Sequence, residues 1–169
     1  MCIGLILFFW KNQYFAMKII QATLEHLDDL VPLFEAYRVW YKKPANELKT
    51  RQFLTERILK HESIVFLIYT EGGQAVGFTQ LYPTFSSIRL GRLWLLNDLF
   101  VAPEVRGQGF SIALIEHVKD MARKTGAVGV VLQTDITNEI GNQLYPRTGF
   151  KLDSAECNYY GWYNPDFVI

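Results

Sequence analysis

Apolar residues in the first third of the chain recur at helical spacing. Residues 18–22 read as a short strand, and Thr23 is placed to cap a helix over 24–41. Leu27, Leu30, Val31, Phe34 and Tyr37 form one stripe of that helix. Pro44 breaks it. A second helix is predicted over 46–61, with Leu48, Phe53, Leu54, Ile58 and Leu59 apolar. The period then shortens toward alternation, the mark of strands. Ser63 to Thr70 is a β-branched and aromatic run. Glu71-Gly72-Gly73-Gln74 reads as a hairpin turn, because its glycines accept positive φ. Ala75 to Tyr82 is the return strand, stopped by Pro83, and residues 88–101 form a long strand. A helix over 109–124 carries Ile112, Leu114, Ile115, Val118 and Met121, with Gly126 as its C′ residue. Ala127 to Thr134 is a nearly unbroken apolar run, as in a strand covered on both faces. A short helix over 138–147 and strands near 150–154 and 158–163 complete the pattern.

Antiparallel strands thus come first, and one strand–helix–strand unit sits in the middle. That crossover makes its two strands parallel. The class is α/β with a mixed sheet.

Composition narrows the function. Half of the 169 residues are hydrophobic and a fifth are charged, which excludes a disordered chain. Seventeen basic side chains balance seventeen acidic ones, so no overall positive field recruits nucleic acid or anionic membrane. Cys2 and Cys157 make no disulfide framework, which fits a reducing, cytoplasmic compartment. His26, His61 and His117 lack a second His or Cys at ligand spacing, so no metal is expected.

Residues 2–10 are apolar but span about half of the ~20 residues a membrane crossing needs. No basic residue precedes them and no small-residue cleavage site follows. Met17 opens a segment that reads like a natural start. We expect residues 1–16 to be a non-native or mispredicted extension of a single domain over 17–169. A hydrophobic arm packing on a partner is the other reading.

The segment from Leu99 through Phe100 and Val101 to Ser111 carries the most chemistry. A strand ends, a loop turns and a helix begins. The opening turn of a helix has unpaired N–H groups and a partial positive charge, together an anion site. Gly107 and Gly109 lack Cβ, so a diphosphate can approach the backbone closely. Arg106 adds a permanent charge and Ser111 a hydroxyl. Arg-Gly-x-Gly alone also suits a turn that merely starts a helix. A P-loop would end in Gly-Lys-Ser/Thr, which is absent. A dinucleotide fingerprint would place its first glycine closer to the strand, whereas residues 102–106 separate Val101 from Gly107.

These residues resemble the GCN5-related N-acetyltransferase (GNAT) superfamily. Its coenzyme A motif, Gln/Arg-x-x-Gly-x-Gly/Ala after a strand and a proline, reads here Arg106-Gly107-Gln108-Gly109-Phe110-Ser111, with Ser at the final small position. A second motif, Asn-x-x-Ala-x-x-Leu-Tyr followed by Gly-Phe, reads Asn138 to Tyr145 and then Gly149-Phe150. Both stand in order, with a helix and a strand between them, and the element order is similar from residue 18 to about 163. Gly77-Phe78 and Leu96 to Val101 look like the diamine (spermidine/spermine) branch and its uncharacterised bacterial relatives. That branch has Glu-Asp where Asn97-Asp98 stand.

The resemblance implies an α/β (α+β) fold. It is a mixed, mostly antiparallel sheet of roughly six to seven strands with a splayed parallel pair, flanked by about four helices. It also implies transfer of an acetyl group from acetyl-CoA, without a metal, to a primary amine of a small molecule or peptide, by direct attack in a ternary complex. A homodimer is among the assemblies it allows. Unpaired backbone groups at Leu99, Phe100 and Val101 would hold the pantetheine arm, and the Arg106–Ser111 loop the diphosphate, with Asn138 also on the cofactor. Coenzyme A leaves as a thiolate with a pKa near ~8.5, which a tyrosine near ~10 can protonate. Tyr145 matches the family's general acid. Packing as a core aromatic is its other reading, and capping a helix is Asn138's. An alkylamine must lose a proton before attack, and Asp98, in an otherwise apolar strand, is the candidate base. Accepting backbone N–H bonds is the alternative use of that carboxylate. Tyr82, Phe85 and Trp94 are placed by the resemblance on the acceptor side, where aromatic faces suit a cation. Pro146 pushes Tyr145 away from helical backbone angles. Pro146 and Asn97 leave a competing function, a catalytically weak CoA-binding regulatory or partner module.

Overall fold

β1 (Lys18–Gln21), β2 (Ile64–Tyr69), β3 (Ala75–Ser86) and β4 (Gly91–Val101) are antiparallel neighbours in one sheet. β5 (Gly129–Val131) joins β4 in parallel, so the spatial order follows the chain order. The computed structural model describes residues 17–152. Expectations for residues 1–16 and for a strand at 158–163 lie outside them. The chain divides into two compact units, one up to Gln133 and one from Thr134 onward.

In the first unit, α1 (Leu27–Trp40) and α2 (Glu47–Leu59) form the layer on one face, with α1 against β3 and β4. α3 (Phe110–Lys124) covers the other face. The first helix does not start at 24 as α-helix. Residues 24–26 form a 3₁₀ turn, tightened by Thr23 and His26, whose Nδ1 takes the Thr23 N–H at 3.1 Å. Asn46, expected inside the second helix, instead caps it, accepting the Lys49 N–H at 3.0 Å. Glu35 ties the two helices together. It accepts from Arg38 at 2.8 Å, and from the Thr50 hydroxyl and the Asn46 N–H. The interior is built from Leu30, Val31 and Phe34 of α1, Leu54 of α2, and Val65, Leu67, Phe78 and Phe100 of the sheet.

The turn at Glu71–Gln74 closes with Thr70 donating its N–H to the Gln74 carbonyl at 2.9 Å, and Gly73 supplies φ +79°. Gly77 is needed for space, since a Cβ there would sit 2.7 Å from the Phe100 carbonyl oxygen. Gly126 ends α3 with φ +67°, and Ala127 donates to Ala122 at 2.9 Å, satisfying a terminal carbonyl.

Several strand boundaries differ from expectation, β4 starting at Gly91 rather than at residue 88. β3 runs through Pro83 to Ser86. Its pairing with β2 ends at Leu81, so Pro83 lies where one side has no neighbouring strand, and a missing N–H is tolerated there. β5 is shorter than 127–134 and is not covered on both faces, with Val131 43% exposed. Residues 150–152 form no strand. The described residues therefore hold five strands where the resemblance implied more.

The second unit is α4 (Glu139–Arg147) and its flanking turns. Pro146 does not expel Tyr145 from this helix. The proline falls in the last turn, so its missing N–H removes one bond, to the Asn142 carbonyl, with little helix left beyond it to disrupt. The Tyr145 carbonyl is then taken by Thr148 N–H at 3.1 Å and Phe150 N–H at 3.0 Å. No helix among the described residues is long and apolar enough to cross a membrane.

Candidate active site

The loop after β4 is set by two left-handed glycines. A 3₁₀ turn over Pro103–Val105 leads to Arg106 in an extended conformation. Gly107 and Gly109 then adopt φ of +79° and +89°, which a side chain would strain. A Cβ built on either would meet nothing within 4 Å. The space beside the backbone is therefore open on the side that glycine leaves bare. Gly109 is the N-cap of α3. The first intrahelical bond of that turn is Ala113 N–H to Gly109 O at 2.9 Å, so the N–H groups of Phe110, Ser111 and Ile112 precede the ladder. The donor set fits a diphosphate.

Among the described residues, no strand pairs with the edge of β4 next to this loop. β5 pairs only with Leu93, Trp94 and Leu95, leaving Leu96 to Val101 without a β5 partner. Ala102 donates its N–H to Val76 of β3 at 2.8 Å. By alternation, Phe100 also turns its backbone groups to β3, while Leu99 and Val101 turn theirs to the open edge. An extended amide chain fits beside Leu99 and Val101 as an added strand. The Arg106 side chain lies along that edge, with Nε donating to the Val101 carbonyl at 3.1 Å. Its guanidinium carbon is 4.8 Å from the Trp40 ring centre and 5.9 Å from that of Phe100.

Register places the remaining candidates. Phe66 meets His117 of α3 edge-on at 4.5 Å, so it marks the α3 face, and Leu67 marks the α1 face. Leu67 pairs with Phe78, and Phe78 with Phe100, so Gln80 and its partner Asp98 also face α1. The register then shifts, Leu81 pairing with Leu96 and Asn97 being skipped, which is a β-bulge. Beyond it, Tyr82 with Leu95 returns to the α1 face. Pro83 with Trp94, and Phe85 with Arg92, take the α3 face. Asp98 and Tyr82 are thus brought together, and Phe85 and Trp94 lie on the opposite surface. There the Arg92 guanidinium sits 4.9 Å from the Phe85 ring and 5.3 Å from that of Trp94.

Asp98 is 6% exposed. Burial raises its carboxyl above the ordinary carboxylate range, and the Asn97 amide, donating at 3.0 Å, and the Tyr37 phenol partly restore its acidity. Tyr37 is pushed strongly up by burial and then by the Asp98 charge. Tyr82 is pushed up to about 12 by burial, with Asp98 adding to the rise and Arg57 opposing it. Gln80 is buried beside Asp98 and donates Nε2 to the Ser63 hydroxyl at 2.8 Å. Its Oε1 has no partner among the described residues.

Tyr37, Gln80 and Trp40 were not singled out from the sequence. Tyr37 read as part of an apolar stripe. Its hydroxyl, and the carboxylate of Asp98 in an apolar strand, were two polar groups set into apolar patterns, which is the signal that links them. Nothing in the pattern marked Gln80 or Trp40.

In the second unit, Asn138 caps α4, accepting the Gly141 N–H at 3.0 Å while its Nδ2 donates to Thr134 Oγ1 at 2.8 Å. Both ends of its amide are thereby engaged. Tyr145 stands two turns later on the same helix face, its ring edge-on to Phe150 at 5.9 Å.

The comparisons with known proteins bear on this arrangement as a whole. Residues 28–150 match the acetyltransferase (GNAT) family. The chain belongs to that family. A GNAT relative from Bacillus subtilis (strain 168), named "Uncharacterized N-acetyltransferase YhfO", is 39% identical over 143 residues, covering 85% of this chain and 95% of that one. A "Probable acetyltransferase" from Haemophilus influenzae is 35% identical over 140 residues, covering 83% and 94%. A crystal structure of a probable acetyltransferase superposes with a TM-score of 0.83 at 41% identity, covering 87% of this chain and 98% of its own. This GNAT chain is therefore an acetyltransferase, with the mixed sheet of that family.

Proposed function

We propose that the protein transfers an acetyl group from acetyl-CoA to a primary amine of a small molecule or peptide, by direct attack with both substrates bound. The observation that carries this reading is the open β4 edge running into a two-glycine helix start. One side of the sheet offers backbone groups to an extended arm, and the loop offers N–H groups to a diphosphate.

The thioester supplies an acyl carbon open to amine attack. Leu99 and Val101 orient the arm by strand-like hydrogen bonds, and a backbone N–H on that edge stabilises negative charge developing on the acyl oxygen. The N–H groups of Gln108, Phe110 and Ser111, with Gly107 and Gly109 leaving space, hold the diphosphate. Asp98, with its raised pKa, accepts the proton an ammonium must lose. Tyr82 and Tyr37 share its face and give a cation an aromatic wall. Tyr145 protonates the departing thiolate. Asn138 fixes the start of α4 through Gly141 and Thr134, and its second amide N–H is left to reach the cofactor. Phe85 and Trp94 have no role in this scheme.

Thiol release from acetyl-CoA across a panel of polyamines, amino acids, aminoglycosides and peptides tests the reading. We expect amine-dependent release with at least one class. No release above the amine-free rate, with no calorimetric binding of acetyl-CoA, overturns it.

A further inference from the structure

We propose that Trp40 is a positioning residue for cofactor binding: its indole holds the Arg106 guanidinium against the open end of β4, beside the glycine cradle. The inference rests on the acetyl-CoA reading of that cradle.

Arg106 is a cation held in place by Val101 and Trp40. Among the described residues no carboxylate pairs with it, and only Nε has a hydrogen-bond partner, the Val101 carbonyl. Its terminal nitrogens, with their donors in a planar fork, are left for an anion. A free arginine side chain would lose rotamer freedom on meeting such an anion. Here two contacts hold the guanidinium before any ligand arrives. Val101 fixes Nε at 3.1 Å, and the Trp40 ring lies 4.8 Å away.

Trp40 is otherwise hard to explain. It is the last residue of α1 and is 56% exposed, so burial in the core does not account for it. Its charged neighbour gives it a use, because tryptophan is the best aromatic partner for a cation. The same last turn of α1 carries Tyr37, which lies against Asp98. One helix end thus supports both a cofactor cation and the proposed base.

The test is calorimetric titration of wild type, Trp40→Ala, Trp40→Phe and Arg106→Ala with coenzyme A, alongside steady-state kinetics and tryptophan emission. We expect Trp40→Ala to weaken coenzyme A affinity about fivefold, raising KM for acetyl-CoA with kcat kept. Trp40→Phe should keep most of the affinity. Adding Trp40→Ala to Arg106→Ala should cost little more than Arg106→Ala alone, because the two act as a pair. Emission should change on binding in wild type, and that change should shrink in Trp40→Phe. Unchanged affinity in Trp40→Ala overturns the inference alone, as does a full loss on the Arg106→Ala background. Absence of binding by wild type overturns the acetyl-CoA reading and this inference with it.

Discussion

Gln80 and Asp98 face each other across β3 and β4 on the surface that α1 covers, one step before the register shift that skips Asn97. The shift decides which face receives the carboxylate. Trp94, Leu96, Asp98 and Phe100 alternate along β4 and are all buried, as if they shared one face. The bulge splits them, sending Trp94 and Leu96 toward α3, and Asp98 and Phe100 toward α1.

Asp98→Asn is expected to stabilise the fold at neutral pH while lowering turnover. The folded pKa of Asp98 is raised, so the native state holds the proton more tightly than the unfolded chain. Stability therefore falls as pH rises from the ordinary value of 3.8 through the raised one, and the penalty is full above it. The asparagine variant lacks that penalty. Its melting temperature should exceed that of wild type at neutral pH, and the difference should shrink toward pH 3.8. A lower melting temperature at neutral pH, or undiminished turnover, contradicts the assignment.

Much of this was legible in the sequence, and what was not has physical causes. Both hairpin partners, the crossover helix and the glycine loop follow from period, turn residues and φ requirements that are local. The bulge at Asn97 is not local, because it depends on β3 lying opposite. The same holds for β3 passing Pro83, which is harmless only because β2 ends first. The resemblance supplied Tyr82 and Trp94 together, yet one register shift puts them on opposite faces. Tyr37 reads only as a member of the α1 stripe, because a run of apolar residues conceals a hydroxyl.

Gly109→Ala tests the cradle through strain. Residue 109 has φ +89°, and a side chain there costs about 1–2 kcal/mol. There is open space around the built Cβ, so the cost is conformational rather than a clash. We expect a fall in melting temperature with a rise in KM for acetyl-CoA larger than any change in kcat. A variant that keeps wild-type affinity for acetyl-CoA would separate the glycine from the diphosphate.

Tyr145→Phe should lower kcat about a hundredfold or more if the phenol protonates the thiolate. Removing one hydroxyl leaves the ring contact with Phe150 and the helix turn intact, so binding of acetyl-CoA should persist. A donor whose leaving thiol is more acidic should recover much of the loss, because it needs less help in departing. Wild-type turnover in the phenylalanine variant would remove Tyr145 from the chemistry.

Asn138→Ala should act first on stability. Its Oδ1 satisfies the Gly141 N–H and its Nδ2 reaches Thr134, so the change removes a cap worth about 1 kcal/mol. Asn138→Asp keeps the oxygen acceptor and adds charge at a helix start, where it is favourable. The two variants therefore separate cap from ligand. If Asn138 works by holding α4, aspartate should restore both melting temperature and turnover relative to alanine. If the amide itself contacts cofactor, aspartate should restore stability while KM for acetyl-CoA stays high, since a carboxylate would repel an anionic ligand.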